Sequence, residues 1–145
     1  MMQLSMTGEY AIQAMISLAE LPIGKTTQIS EISKKNHIPE SLLRKIVVQL
    51  RKLGLIFSTR GKGGGITLSR SAESITLLDV IEAVEGKIYL NKFLIGGEFC
   101  NRISMCAVHS VWRKVQNQMI ETLSESTLAS LVSKEKQLKK YKIGG

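Results

Sequence analysis

The sequence predicts a mainly α-helical protein that carries one small β-hairpin and a long helix near its C-terminus. Apolar residues recur at helical spacing in several separate stretches, and a glycine-rich turn separates two short runs that favour β-strands. The chain has 145 residues, of which 43% are hydrophobic and 22% charged, enough for one globular domain with an appended arm. This length excludes a large two-domain enzyme.

Three helical stretches open the chain. The first follows Thr7, a residue that can cap a helix, and extends to about Leu21. The second is short, beginning near Thr27 and stopping by His37, and the third spans residues 40–53 with one apolar and one basic face. A short helix, a turn and a longer basic helix form the arrangement in which the second helix can enter the major groove of DNA.

A glycine-rich hairpin follows these helices. Residues 55–57 and 66–69 favour strands, and four glycines lie in the turn between them. Together with the helices, this hairpin predicts a winged helix-turn-helix domain. Lys62 precedes three of the glycines, whereas a nucleotide-binding loop needs its lysine after the last glycine and at the start of a helix. We therefore favour a wing that contacts DNA, and a purely structural hairpin stays open as the alternative.

The C-terminal half has a less regular beginning and a very regular helix. A short helix is predicted over residues 76–83, and residues 86–105 show no sustained periodicity, which is typical of a long, partly ordered loop. Beyond this loop, six apolar residues at helical spacing form a stripe along one long helix. This stripe would be buried by the same helix of a second copy, or else by other parts of its own chain. A short helix over residues 128–132 and a frayed, lysine-rich end over 134–142 complete the chain. The stripe consists of Val108, Val111, Trp112, Val115, Met119 and Leu123.

The positive charge of the chain is concentrated in one region. The formal net charge is +8, and residues 34–70 contain nine basic residues and one acidic residue, so this quarter of the chain holds the whole excess. Such clustering is typical of a face that binds the phosphates of DNA, although a solvated helix face is the alternative. The predicted DNA-binding residues are Thr27, Gln28, Ser41, Arg44, Lys45, Arg51, Arg60 and Lys62.

The two cysteines and the N-terminus indicate the compartment and the class of protein. Two cysteines are too few for a disulfide scaffold, and the N-terminus has no signal-peptide pattern. No apolar stretch reaches the length of about 18 residues that a membrane helix needs, so we expect a cytoplasmic protein without a membrane span. We expect no enzyme, because no acid/base constellation accompanies the cysteines. A small thiol- or metal-dependent oxidoreductase and a non-sensing architectural protein are the alternatives.

Four segments together resemble the Rrf-type winged helix-turn-helix transcriptional regulators, the family of IscR, NsrR and CymR, over nearly the full length. The resemblance implies a dimeric regulator, in most members a repressor, that binds a palindromic promoter site in double-stranded DNA. It places Ser41, Arg44 and Lys45 in the base-reading part of the recognition helix, and Arg60 with Lys62 in the wing. The segments are LSMTGEYAIQAM, SLLRKIVVQLRKLGLIFSTRGKGGGITLSR, SITLLDVIEAVEG and CNRISMCAVHSVW.

The resemblance also implies a cofactor. In cluster-binding members, three cysteines precede the long helix, and a histidine or an N-terminal acidic residue supplies the fourth ligand. Cys100 and Cys106 match the last two cysteines, and His109 and Glu9 match the other ligand positions, which implies an iron-sulfur cluster of the 2Fe-2S type. Phe93 stands where the first cysteine is expected. A reversible disulfide between the two cysteines and a repressor with inert thiols are the alternatives.

These observations divide the chain into four predicted parts. A winged helix-turn-helix domain occupies residues 1–85, and a sensor or cluster loop occupies residues 86–107. The dimerisation helix and the short C-terminal helix occupy residues 108–133, and a basic tail occupies residues 134–145.

Overall fold

The structure is a computed structural model that describes residues 4–61, 64–88 and 103–144. It confirms the predicted mainly α-helical fold with one two-stranded hairpin. Lys62, Phe93 and Cys100 lie outside the described residues. The elements are α1 (Met6–Ala19), α2 (Ile29–Asn36), α3 (Glu40–Lys52), β1 (Ile56–Thr59), β2 (Gly65–Leu68), α4 (Leu77–Glu85), α5 (Ile103–Glu125) and α6 (Leu128–Gly144).

Helix α1 begins two residues earlier than its sequence suggests. Ser5, not Thr7, is the N-cap, and its hydroxyl accepts a hydrogen bond from the Gly8 amide at 3.2 Å. Serine and threonine are both preferred N-cap residues, so the local sequence alone does not decide whether Ser5 or Thr7 caps α1. The Glu85 carboxylate, at the end of α4, accepts from the Ser5 amide at 2.9 Å. This bond joins the two helices at the start of α1.

The turn between α2 and α3 has a defined backbone geometry. His37 ends α2 in the left-handed conformation, with φ of 54°, and its amide donates to the Ser33 carbonyl. The Ile38 amide donates to the same carbonyl at 3.0 Å, and the Ile38 side chain is buried. Pro39 then occupies the N-cap position of α3. The angle between the two helices is therefore set by hydrogen bonds and by a buried apolar side chain.

A single apolar core takes side chains from every one of these elements except α5 among the described residues. The first turn of α6 belongs to it, because the Leu128 amide donates to the Ile75 carbonyl at 2.9 Å and the Leu77 amide donates to the Ser126 carbonyl at 2.7 Å. Thr76 caps α4 in a reciprocal capping box with Asp79. The largest fully buried side chains are Met15, Leu43, Ile46, Leu50, Ile56, Ile66, Ile75, Val80 and Leu128.

The two C-terminal helices are longer than predicted. Helix α5 begins at Ile103, inside the stretch predicted as a loop, and α6 continues to Gly144, so the prediction of a frayed end after residue 132 is wrong. Lysine, glutamate, glutamine and leucine dominate this end, and all four are good helix formers. Neither these nor the other helices of the described ranges are long and apolar enough to cross a membrane.

Candidate nucleic-acid interface

Helix α3 presents a polar and basic face directly opposite its buried face. The buried residues of α3 recur at the spacing i, i+3, i+4, i+7 and enter the core. Ser41, Arg44 and Lys45, three of the predicted DNA-binding residues, are all exposed on the other side. Arg44 is held only by an exposed ion pair with Glu40 at 3.5 Å, an interaction of little stability in water. The guanidinium can therefore exchange this partner for a phosphate or a base edge.

Two exposed residues of the same face were missed in the sequence analysis. Val48 and Lys52 continue the line of Ser41 and Lys45 along α3, and both are exposed. The helical spacing of i, i+4, i+7, i+11 from Ser41 is a signal that could have found them. The outward face thus combines cations and a hydroxyl with one apolar side chain, which suits both phosphates and the methyl groups of thymine.

The hairpin lies beside this helix and is attached to the start of α2. Its strands pair antiparallel, with Ile56 opposite Leu68 and Thr59 opposite Gly65. Thr27 adds a third, one-residue strand, because its amide and carbonyl exchange hydrogen bonds with Ile66 at 3.0 and 2.8 Å. This exchange attaches β2, near the turn of the hairpin, to the segment just before α2.

The remaining predicted DNA-binding residues differ in their surroundings. Arg60 is exposed at the end of β1, whereas Arg51 donates to the Ser58 hydroxyl at 3.4 Å. The Thr27 hydroxyl donates to the Glu31 carboxylate at 2.8 Å. The side-chain amide of Gln28 (Nε2) donates to the Gly64 backbone carbonyl at 2.7 Å. The side chains of Thr27 and Gln28 therefore each bond to another residue of the chain, although Gln28 is exposed.

A charged corner connects α2 with α1 and α6 away from the hairpin. Burial alone would raise the pKa of Glu20, but the Lys35 ammonium, 2.7 Å from its carboxylate, holds that pKa below its usual value. Burial and the hydrogen bond that Glu135 donates to the Glu20 carboxylate raise the pKa of Glu135. The corner holds two carboxyl groups and the ammonium groups of Lys35 and Lys139, so it adds no net charge to the exposed basic surface of α3.

The predicted cofactor ligands are not brought together by the described residues of one chain. Cys106 is an exposed free thiol on α5, His109 is buried three residues later, and Glu9 is exposed in the first turn of α1. The described residues contain no group of three or more His, Cys, Asp or Glu side chains that could hold a metal ion. Thiolates hold most iron-sulfur clusters, but two imidazoles replace two thiolates in Rieske centres, so the two cysteines of this chain would leave two ligand positions for other side chains. Cys100 lies outside the described residues, so the described donors are Cys106, His109 and Glu9 alone.

The fold and this surface together define a winged helix-turn-helix protein. A model of the family described as "Rrf2: Iron-dependent Transcriptional regulator" matches residues 4–134. The chain belongs to the Rrf2 family of transcriptional regulators, whose function implies DNA binding. This agrees with the expectation that the chain is a regulator and not an enzyme.

Three relatives illustrate the similarity. A curated HTH-type transcriptional regulator of Haemophilus influenzae is 36% identical over 133 residues, which cover 92% of this chain and 88% of the relative. The structure of CymR, the global cysteine regulator of B. subtilis, is 29% identical with a TM-score of 0.79, covering 92% of this chain and 98% of that chain. The structure of T. potens IscR is also 29% identical, with a TM-score of 0.75 and coverage of 92% and 88%.

Proposed function

We propose that the chain is a repressor that binds a palindromic operator as a homodimer, with α3 in the major groove and the wing against the adjacent minor groove. The observation that carries this proposal is the exposed face of Ser41, Arg44 and Lys45 on a helix whose opposite face is buried. A recognition helix presents its outward side chains to base edges, while its buried side holds it rigidly to the domain. Lys62 and the exposed Arg60 would add cations at the hairpin.

The dimer is supported by the outer surface of α5. Val108, Val111, Trp112 and Val115 are between 41% and 60% exposed, although they form one continuous apolar stripe. A stripe of this kind on a regulator is buried most simply by the same stripe of a second copy, because a two-fold dimer repeats one surface on both subunits. The two-fold axis would also place two α3 helices on successive turns of a palindrome.

The test is a binding titration with DNA from upstream of the protein's own gene, labelled and measured by fluorescence anisotropy. We expect affinity for this DNA to exceed affinity for random DNA of the same length by about a thousandfold or more. We expect the dissociation constant to rise steeply with salt, because the basic face releases counterions. Equal affinity for both DNAs would contradict sequence-specific regulation and favour an architectural role.

A second proposal concerns the signal. We propose that operator affinity responds to oxidation of the two cysteines, Cys100 and Cys106. The exposed free thiol of Cys106 supports this, since accessible thiols are the ones that oxidants reach. A disulfide would form when hydrogen peroxide removes two electrons and two protons from the thiols and is itself reduced to water. The predicted division into a winged domain, a sensor loop, a dimerisation helix and a tail would let this change move α5 relative to α3.

The experiment for the signal starts from protein purified without oxygen. Iron and sulfide analysis with a visible spectrum identifies any cluster, and a thiol titration before and after peroxide counts the cysteines that oxidise. We expect an iron-free protein that loses both thiols and whose operator affinity changes at least about fivefold, as allosteric coupling commonly does. A Cys100→Ala, Cys106→Ala double variant should not respond. Stoichiometric iron would instead support a cluster shared with other ligands, and an unchanged affinity would support inert thiols.

A further inference from the structure

We propose that Gln28 positions the wing on the DNA, and so acts through Arg60 and not by reading a base itself. This inference deepens the proposed function, because it assigns one side chain the task of holding the wing relative to the recognition helix. Gln28 lies immediately before α2, and the only side-chain bond that it makes to the hairpin among the described residues goes to the Gly64 carbonyl at 2.7 Å.

The position of Gln28 is one where a capping side chain is usual. It occupies the N-cap of α2, yet it makes no side-chain bond to that helix. Serine, threonine, aspartate and asparagine are preferred at such positions because their short side chains reach the first amides. The longer side chain of Gln28 instead donates to the hairpin, at a residue that lies 36 positions later in the sequence. The residue type therefore suits attachment of the wing better than it suits capping.

The bond from Gln28 reaches the part of the hairpin that holds Arg60. Gly64 is buried, and its amide donates to the Gly61 carbonyl at 2.9 Å. A Cβ atom built on Gly64 would lie 2.6 Å from the Thr59 carbonyl oxygen and 3.0 Å from the Arg60 carbonyl carbon. Gly64 thus packs directly on the backbone of residues 59–61. Any shift of the Gly64 carbonyl must move the Arg60 backbone as well.

The hairpin needs such an attachment for a physical reason. A two-stranded hairpin is at best marginally stable by itself, and twisting about its base is its softest motion. The two bonds between Thr27 and Ile66 hold β2 one residue from its turn-side end, and the bond from Gln28 adds a contact at Gly64, in the loop between the strands. The strands are already held by the buried Ile56 and Ile66, so the bond from Gln28 adds its constraint to the loop that follows Thr59 and precedes Gly65.

The first test needs no DNA. Hydrogen exchange of the free protein is compared for the wild type, for Gln28→Met, which keeps the length of the side chain but removes the donor, and for the control Gln13→Met on the exposed side of α1. We expect exchange of the Gly64, Gly65 and Ile66 amides to accelerate about threefold to tenfold in Gln28→Met, as loss of one neutral hydrogen bond allows. The control should not change these amides. Unchanged exchange in Gln28→Met would overturn the inference.

The second test separates positioning from direct contact with DNA. Operator affinity is measured for Gln28→Met, for Arg60→Ala and for the double variant. We expect Gln28→Met alone to weaken binding about threefold to tenfold, and to have less than about a twofold effect once Arg60 is removed. An equal loss in both backgrounds would mean that Gln28 acts independently of the wing, and would overturn the inference.

Footprinting gives an independent readout. Hydroxyl-radical cleavage of the bound operator should show lost protection where the wing lies, while methylation of major-groove guanines stays protected. A variant that is merely destabilised would lose both the protection from hydroxyl radicals and the protection from methylation. If the wild type does not distinguish the operator from random DNA, the proposed function fails, and accelerated exchange at Gly64 would then still show that Gln28 holds the hairpin.

Discussion

Helices α3 and α5 are both amphipathic, but the chemistry of their exposed faces is opposite. On α3 the core takes the apolar side, and the exposed side carries Arg44, Lys45 and Lys52. On α5 the apolar stripe is itself exposed, with Val111 at 60% and Trp112 at 42%. The same sequence periodicity therefore predicts a helix in both places, and the neighbours that each helix finds in its own chain decide which face remains outside.

This difference indicates two kinds of partner. A basic face costs little free energy when it stays in water, and its contact with a polyanion is favourable because counterions are released. An apolar face costs free energy for as long as it stays in water, roughly 25 cal/mol per Å² of apolar surface. Helix α3 is therefore stable in the single chain, whereas α5 needs a further apolar surface to cover its stripe. Substitutions on each helix should separate DNA recognition from assembly.

The largest expected effect is on recognition. Replacing both cations in Arg44→Ala, Lys45→Ala should weaken operator binding by about three orders of magnitude or more, because each contact is worth about 1–3 kcal/mol and a symmetric dimer makes both contacts twice. Anisotropy titrations measure this loss. The matched control is the exposed Arg113→Ala, Lys114→Ala pair on α5, which has the same charge change. Similar losses in both variants would mean that net charge, and not the α3 face, determines binding.

The next effect is on assembly. Val111→Lys places a charge in the centre of the α5 stripe, and should raise the dimer dissociation constant about a hundredfold or more, since an unpaired buried charge costs several kcal/mol. Sedimentation velocity across a concentration series measures it. Ser110→Lys adds the same charge beside the stripe and should leave the dimer intact. A Val111→Lys protein that sediments as the wild type does would place the interface elsewhere.

A smaller effect concerns the attachment of the hairpin. A Cβ atom on Gly65 would lie 2.4 Å from the Thr27 carbonyl oxygen, and both groups belong to backbone that cannot move without breaking the bridge. Gly65→Ala should therefore lower Tm by about 5–10 °C, as a steric clash of about 2–3 kcal/mol does in a chain of this size.

Gly24→Ala provides the comparison for that clash. Gly24 also has a positive φ, of 82°, but an added Cβ would meet no atom within 4 Å. Only backbone strain of about 1–2 kcal/mol is expected there, so the fall in Tm should be about half as large. Equal shifts in the two variants would mean that contact with Thr27 contributes nothing at Gly65. Thermal unfolding followed by circular dichroism distinguishes these outcomes.

The smallest effect is electrostatic. The pKa of Glu135 is raised in the folded protein, first by burial and then by Glu20, so folding favours its protonated form. Its contribution to stability is therefore complete below the ordinary glutamate pKa of about 4.3 and is lost as pH rises through the raised value. Glu135→Gln should raise Tm at pH 7 by less than about 2 °C, because the amide can always donate to Glu20.

The pH dependence provides the check on Glu135→Gln. The difference in Tm between variant and wild type should vanish as the pH falls towards 4, where the wild-type carboxyl group is protonated and can donate as well. Lys136→Gln, an exposed change on the same helix, is the control and should show no such dependence. A constant difference between pH 4 and pH 7 would contradict the role of the carboxyl pair.

Much of the candidate DNA-binding surface could be predicted because it depends on periodicity alone. The apolar positions of α3 specify its buried side, so the exposure of Ser41, Arg44 and Lys45 follows from their spacing. Thr27 and Gln28 could not be treated in this way. Their polar side chains suit contact with DNA or with the protein, and only the bonds to Glu31 and Gly64 distinguish these uses.

The sequence by itself determined the presence of helices α1 to α4, the hairpin and the basic side of α3, because these follow from the spacing of apolar residues and from glycine in the turn. The tertiary structure decided which distant segments of the chain pack together. It placed Leu128 of α6 in the same core as α3 and attached the wing through Thr27 and Gln28. Such pairings join residues far apart in the chain, and the local pattern around each residue holds no information about the partner it will meet.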